Sequence, residues 1–595
     1  MQQTIELAFL DYAIIIGFIA LIIGIGLSFS RRAKNTGDFF LGGRQLSWVL
    51  AGTSMVATTF AADTPLAVTE LVRQGGIAGN WLWWNLLAGG MLTTFFFARY
   101  WRRAGIMTDV ELVSIRYSGK PARFLRGFKA IYMGIFVNAL IIGWVNLALM
   151  SLLQVFFGMS SEDALMWTFV AMLIVFVYSG FSGLLGVVYT DIVQFTVAMT
   201  GSIILAVMVV NSDQIGGIDG LKAAIPEQAI RFFPNFNDDP VGVAGVLTVS
   251  LGSFLAFLVL PWWNSWYPGA EPGGGGYVVQ RMMSAKDEKN ALYANLYFQI
   301  AHYCIRPWPW ILVALSCVVL YPDLAAADAK LGYVMAMKDF LPTGFKGLLL
   351  AAFFAAYMST TASQLNWGSS YIINDLYQPF IKPNASDKQT LFVSRISILV
   401  MICVATGVTA NINSISAVWN FLLQTGAGLG LVLILRWYWW RINAWSEIVG
   451  TIAPFIGYAI VQFILGADDP SWTLPIIENP KGFMFTLSFT IIAWLAVTLL
   501  TAPTEAKVLQ AFYDRVKPAG NWGDYADPNL VQPNLKLLGV IWISAVIMAY
   551  SMLFVTGSII FKLWSDVAIY AATFIVSLLV VRQLSGKVIV FGDNK

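Results

Sequence analysis

Apolar residues run in blocks of about 20, the length a helix needs to cross the hydrocarbon of a bilayer, and short polar stretches separate the blocks. The runs cover 9–30, 46–72, 79–98, 127–156, 165–180, 183–211, 243–264, 290–320, 346–371, 392–411, 415–436, 446–466, 482–502, 537–557 and 562–582. They predict about fifteen spanning helices. The fold class expected is therefore all-α and integral to the membrane, with the lipid bilayer as its main solvent.

Two runs are interrupted. In the second, ATTFAADTPLAVTE carries Asp63 and Pro65 at mid-run, and LPWWNSWYPGAEPGGGG ends the seventh with Pro261, Pro268, Pro272 and Gly273 to Gly276. Unwound backbone at membrane depth survives only where protein or a wet cavity satisfies its polar groups. The interruptions open two sets of five runs, the pattern of inverted repeats whose broken first helices meet at a midplane site. The expected organisation is one transport domain: an additional helix and loop over 1–45, a first repeat over 46–211, a second over 243–441, and peripheral helices over 442–595. A plain loop after the seventh run is the alternative account of the second interruption.

Composition agrees. The 595 residues are 58% hydrophobic and 12% charged, with mean hydropathy +0.70, against about 25% charged in soluble chains. The 23 Trp suit two membrane–water interfaces. A net charge of +3 gives no reason to expect a nucleic-acid partner, and no GxxxxGK[ST] loop points to ATP as the energy source. Cys304, Cys317 and Cys403 lie in apolar runs and read as packing residues. With the N-terminus outside, Arg31, Arg32, Lys34 and Arg44 fall inside, and about 27 of the 36 basic residues collect on the cytoplasmic side, where the C-terminus also lies. The first run lacks a basic leader and a cleavage pattern, so it is expected to be a retained helix.

Candidate chemistry concentrates at the breaks. Ala356, Ser359 and Thr360 stand at i, i+3 and i+4 on one helix face, roughly 15 to 20 Å inside their run. Phe60 lies about 21 Å from the inner end of the second run, so the two groups can meet at mid-membrane. Half-unwound helices offer carbonyls and Ser or Thr hydroxyls, the oxygens a hard cation such as Na⁺ takes. The same hydroxyls also serve helix packing or bonds to i−4 carbonyls. Asp191 sits about 12 Å into the sixth run, where a carboxylate costs about 2.5 to 3.5 kcal/mol unless partnered. It must face a cavity or a salt bridge. Asp63, followed by Thr64, can bind a substrate ammonium, complete a cation shell, or pair with Arg306 of CIRPWPW, the one basic residue placed inside a run. His302, one turn before Arg306, reads as a proton relay or a packed side chain. Trp263 and Trp266 can stack on a solute or anchor at an interface.

Five stretches in order resemble the sodium:solute symporter family, over about residues 11 to 445. These are DYAIIIGFIALIIGIG with RRAKNTGDFFLGGRQLSW, then YSGFSGLLGVVYTDIVQ, YVVQRMMSAK, AAYMSTTASQLNWGSSYIINDLY and LRWYWWRINAWSE. The resemblance implies the five-plus-five inverted-repeat fold of the leucine transporter, alternating access, a plasma (inner) membrane location and no enzymatic activity. It also implies Na⁺ as the coupled ion, bound by the carbonyls of Ala57, Phe60 and Ala356 and the hydroxyls of Ser359 and Thr360. In some members a second ion site joins the positions of Asp191, Ser359 and Ser363, but Ala362 stands where those members carry a hydroxyl. Sugar-carrying members have Glu- or Gln-like residues where this chain has AADTP. The function expected is Na⁺-coupled symport of a small polar solute, with sugar, amino acid, amine and carboxylate all open. A membrane sensor that keeps the fold without transport is the second reading.

Overall fold

The computed structural model describes residues 7–30, 41–106, 108–178, 184–237, 245–263 and 273–587, and nearly all of these are helical. The strands among them are Asn235–Phe236 and Thr248–Val249, paired in parallel. Nine described helices are long and apolar enough to cross a bilayer, or ten if Ile415–Thr425 and Leu429–Tyr438, bent by 52°, form one span. That is fewer continuous spans than the apolar runs suggest. The second run is split into Trp48–Thr58 and Asp63–Gly75. The third is divided into Trp81–Trp84, Leu87–Leu92 and the π-helical Thr93–Phe97. An apolar run records what solvent a segment tolerates, not whether its backbone stays helical throughout.

The break in the second run is built from identifiable bonds. Trp48–Thr58 begins where the Ser47 hydroxyl accepts the Leu50 N–H, and it ends where the Phe60 N–H turns back to the Ala57 carbonyl at 2.9 Å. The helix resumes at Asp63, with Pro65 in its first turn, where a missing N–H leaves no helical bond unmade. Both ends at the break meet a suitable charge. Arg306 Nη1 donates to the Val56 carbonyl at 3.0 Å, putting a cation on the carbonyl end of the first half, while Asp63 stands at the N–H end of the second half.

Four other helices fix the site. Leu184–Val210 packs against both Trp48–Thr58 and Phe345–Tyr371. The first helix, Phe9–Ser30, packs on Phe345–Tyr371 as well. There the buried Asp11 accepts the N–H groups of Gly344 at 2.7 Å and Gly347 at 2.9 Å, satisfying amides that start that helix. The contact is close: a Cβ on Gly347 would lie 2.5 Å from the Asp11 Cα. On the other half of the break, the buried Glu70 accepts the Ser416 hydroxyl at 2.9 Å and the Ile415 N–H at 3.3 Å. It also accepts the Ser414 hydroxyl. Asp63–Gly75 is therefore tied to the start of Ile415–Thr425, whereas Trp48–Thr58 is tied to Leu184–Val210. Between them Phe60 packs on Trp310, Phe353 and Phe195, with ring centroids 5.4, 6.0 and 6.2 Å away.

Candidate ion and solute site

Asp191 is the centre of a buried polar cluster. Its Oδ2 accepts the hydroxyls of Ser54 at 3.2 Å and Thr58 at 3.1 Å, and its Oδ1 accepts the Ser359 hydroxyl at 3.1 Å. The carboxylate has an ionic partner, Arg281, whose Nη2 lies 3.9 Å from Oδ2. Arg281 also donates from Nε to Ser54 at 3.4 Å and from Nη2 to Thr58 at 3.2 Å. Both charged side chains are 3% exposed. At that burial a pair persists only if its remaining hydrogen-bonding positions are filled, and the two hydroxyls of Trp48–Thr58 fill them from between the charges.

One turn further along, the break opens on a cavity. Asp63, Thr64, Arg306 and Thr360 line it, and so do Thr58, Thr59 and His302. Its walls are aromatic, from Trp83, Trp144, Phe298, Tyr303, Trp419 and Tyr277. The cavity and the carboxylate cluster adjoin through two residues: Thr58 belongs to both, and Thr360 follows Ser359 in the chain.

The sequence expectations can now be placed. Ala57 and Phe60 stand at the end of the first half-helix, and Thr58 and Ser359 meet on the same carboxylate, so the break and the hydroxyl face of Phe345–Tyr371 come together. Ser359 bonds Asp191 rather than a carbonyl of its own helix. Among the described residues the hydroxyls bonded to Asp191 are those of Ser54, Thr58 and Ser359, and no hydrogen bond links Ser363 to it. Asp63, Thr64 and Arg306 do share one cavity. Among the described residues, however, no ion pair joins Asp63 to Arg306; the guanidinium bonds the Val56 carbonyl and the Thr59 hydroxyl and lies 5.1 Å over the Trp310 ring. Trp263 ends a 3-10 turn, Pro261–Trp263, and is not among the residues lining the cavity. Trp266 lies outside the described residues. His302 places Nδ1 3.1 Å from Thr59 Oγ1 and packs among Trp83, Phe298 and Tyr303.

Arg281, Ser54, Trp83, Trp144 and Trp419 have no place in the sequence reading. The only signal for Arg281 was its position in YVVQRMMSAK, outside every apolar run. Among the described residues no cluster of His, Cys, Asp and Glu could hold a metal ion. A cation bound here would instead meet hydroxyls, carbonyls and a single carboxylate.

Known proteins agree with this architecture. The model of the sodium:solute symporter family matches residues 39–453. The Sodium/glucose cotransporter of Vibrio parahaemolyticus is 25% identical over 528 residues, covering 83% of this chain and 91% of that protein. The Sodium/sialic acid symporter of Proteus mirabilis is 25% identical over 497 residues, covering 78% and 91%. Among solved structures, the substrate-bound outward-open state of a Na⁺-coupled sialic acid symporter superposes with TM-score 0.63 at 20% identity, over 84% of this chain and 100% of the other. The chain thus shares that protein's fold and is a multi-pass membrane protein. These relatives are transporters rather than enzymes, and by the extent of the family match the chain belongs to the sodium:solute symporter family.

Proposed function

We propose that this protein moves a small polar solute into the cell together with Na⁺, by alternating access. The observation that carries the reading is the junction of the two sites: Thr58 bonds Asp191 and lines the aromatic cavity, and Thr360 lines the cavity beside Ser359. In this reading Na⁺ is held by the carbonyls of Ala57, Phe60 and Ala356 and the hydroxyls of Ser359 and Thr360. Asp191 lies on the ion's path, and Asp63, Thr64 and Arg306 contact the solute. An ion that orders the break then orders one wall of the solute cavity, and coupling between two such sites is reciprocal.

Opposite attachments of the two half-helices support the alternating step. Trp48–Thr58 is held to Leu184–Val210 through Asp191, and Asp63–Gly75 to Ile415–Thr425 through Glu70, so the residues from Thr59 to Ala62 lie between two differently anchored bodies. Residues 46–211 and 243–441 act as the two inverted repeats, with 1–45 and 442–595 peripheral. The basic-residue bias puts the N-terminus outside and the C-terminus in the cytoplasm of a plasma (inner) membrane. The test is uptake into proteoliposomes of whichever solute stabilises the purified protein: an inward Na⁺ gradient should drive accumulation, and equal uptake in K⁺ or choline medium would refute symport.

A further inference from the structure

The chemistry of the cavity narrows the solute, provided that this cavity is the solute site. Asp63 is 5% exposed, faces the cavity, and has no hydrogen-bond partner for its Oδ1 among the described residues. A buried acceptor left unmade is costly, more so when charged, so a bound molecule that gives this oxygen a donor gains affinity. A polyol hydroxyl is one such donor, but the rest of the lining does not suit a polyol. Among the described residues no Asn or Gln side chain lines the cavity, and three of its threonine hydroxyls are already engaged: Thr58 on Asp191, Thr59 on the Val56 carbonyl, Thr64 on the Thr59 carbonyl. Sugar hydroxyls would be buried with few partners, at a cost for each. The aromatic faces of Trp83, Trp144 and Trp419 instead favour a cation or an apolar body. Arg306 stands on the same cavity, and its positive charge disfavours a solute that is only cationic while attracting an anionic group. We infer that the transported solute is a small zwitterion with an apolar body, its ammonium hydrogen-bonded to Asp63 Oδ1 and its carboxylate held toward Arg306.

The test is thermal unfolding of the purified full-length protein in Na⁺ medium with single compounds. The zwitterions are L-proline, L-leucine and L-phenylalanine. The comparators are the N-acetyl derivatives of the three amino acids, D-glucose, D-galactose, myo-inositol, tyramine and benzoate. At least one zwitterion should raise the melting temperature, more than any comparator and more than its own N-acetyl derivative. In Asp63→Asn that compound's apparent affinity should fall tenfold or more, while the solute-free shift produced by Na⁺ over K⁺ persists. No stabilisation by any zwitterion, a larger shift from any comparator, or unchanged zwitterion affinity in Asp63→Asn would overturn the inference. Loss of the Na⁺ shift itself in Asp63→Asn would also overturn it, by assigning the carboxylate to the ion. The wild-type ranking decides the matter even if the variant does not fold. A wild-type protein indifferent to Na⁺ would overturn the symport reading instead, and the two failures are separable.

Discussion

Ser359 donates its hydroxyl hydrogen to Asp191 Oδ1 at 3.1 Å, across 168 positions of sequence. On the other oxygen of the same carboxylate sits Thr58, at the end of the half-helix whose final carbonyls face the break. Three helices therefore converge on one buried acid, and the next hydroxyl along, Thr360, turns to the cavity.

Thr360 gives the sharpest test of ion ligation. Thr360→Ser keeps the oxygen and should change Na⁺ dependence little. Thr360→Val keeps the shape, removes the oxygen, and should raise the half-saturating Na⁺ concentration about tenfold, the equivalent of about 1.4 kcal/mol. Na⁺ titrations of thermal stability measure both. If Val and Ser behave alike, Thr360 serves helix packing only.

The Asp191–Arg281 pair predicts strong non-additivity. Asp191→Asn leaves Arg281 buried opposite a neutral amide, and breaking a buried pair in this way costs about 3 to 5 kcal/mol. Arg281→Gln strands the carboxylate in turn. The double variant should be more stable than the sum of the two losses predicts, and a double-mutant cycle on melting temperature reads the difference. Additive losses would mean that the two charges do not interact.

At the other half of the break, Glu70 should govern how firmly Asp63–Gly75 is held. Glu70→Ala removes the acceptor of the Ser416 hydroxyl and the Ile415 N–H, where hydrogen bonds to a charged group contribute about 1.5 to 3 kcal/mol each. Hydrogen exchange should rise over 63–75 and 415–425 together, with Glu70→Gln intermediate. Exchange that rises in only one of these segments would show that they are not tied through this carboxylate.

Gly347 and Gly407 make a matched pair. A methyl group on Gly347 would press on the Asp11 backbone at 2.5 Å, so Gly347→Ala should loosen the first helix and lower the melting temperature clearly. Gly407 has nothing within 4 Å, and Gly407→Ala should be neutral or stabilising by about 0.5 to 1 kcal/mol. Equal effects would mean that the close approach at Asp11 does not constrain the fold.

Much of this was legible in the sequence because membrane physics leaves few alternatives. Asp63 and Pro65 in an apolar run announced the break, and a carboxylate at the depth of Asp191 announced a partner. Periodicity put Ser359 and Thr360 on one face. The partners themselves were not legible, because they are tertiary. Arg281 reaches Asp191 from a helix outside every apolar run, and Asp11 and Glu70 cap helices more than 300 residues away. Arg306, one of three candidate partners for Asp63, meets the carbonyl end of the first half-helix, because an unwound helix exposes carbonyls that attract a cation as a carboxylate does. Trp263 drew attention by composition, yet the cavity walls come from Trp83, Trp144 and Trp419, which hydropathy does not distinguish from ordinary interface tryptophans.

The central claim is that the break and the hydroxyl face beside Asp191 form a Na⁺ site. The direct measurement is the melting temperature of the purified, solute-free protein in NaCl and in KCl of equal ionic strength, since a ligand that binds only the folded state raises its stability. The account predicts a saturable rise with Na⁺ and none with K⁺. Superimposable melting curves in the two salts would contradict it.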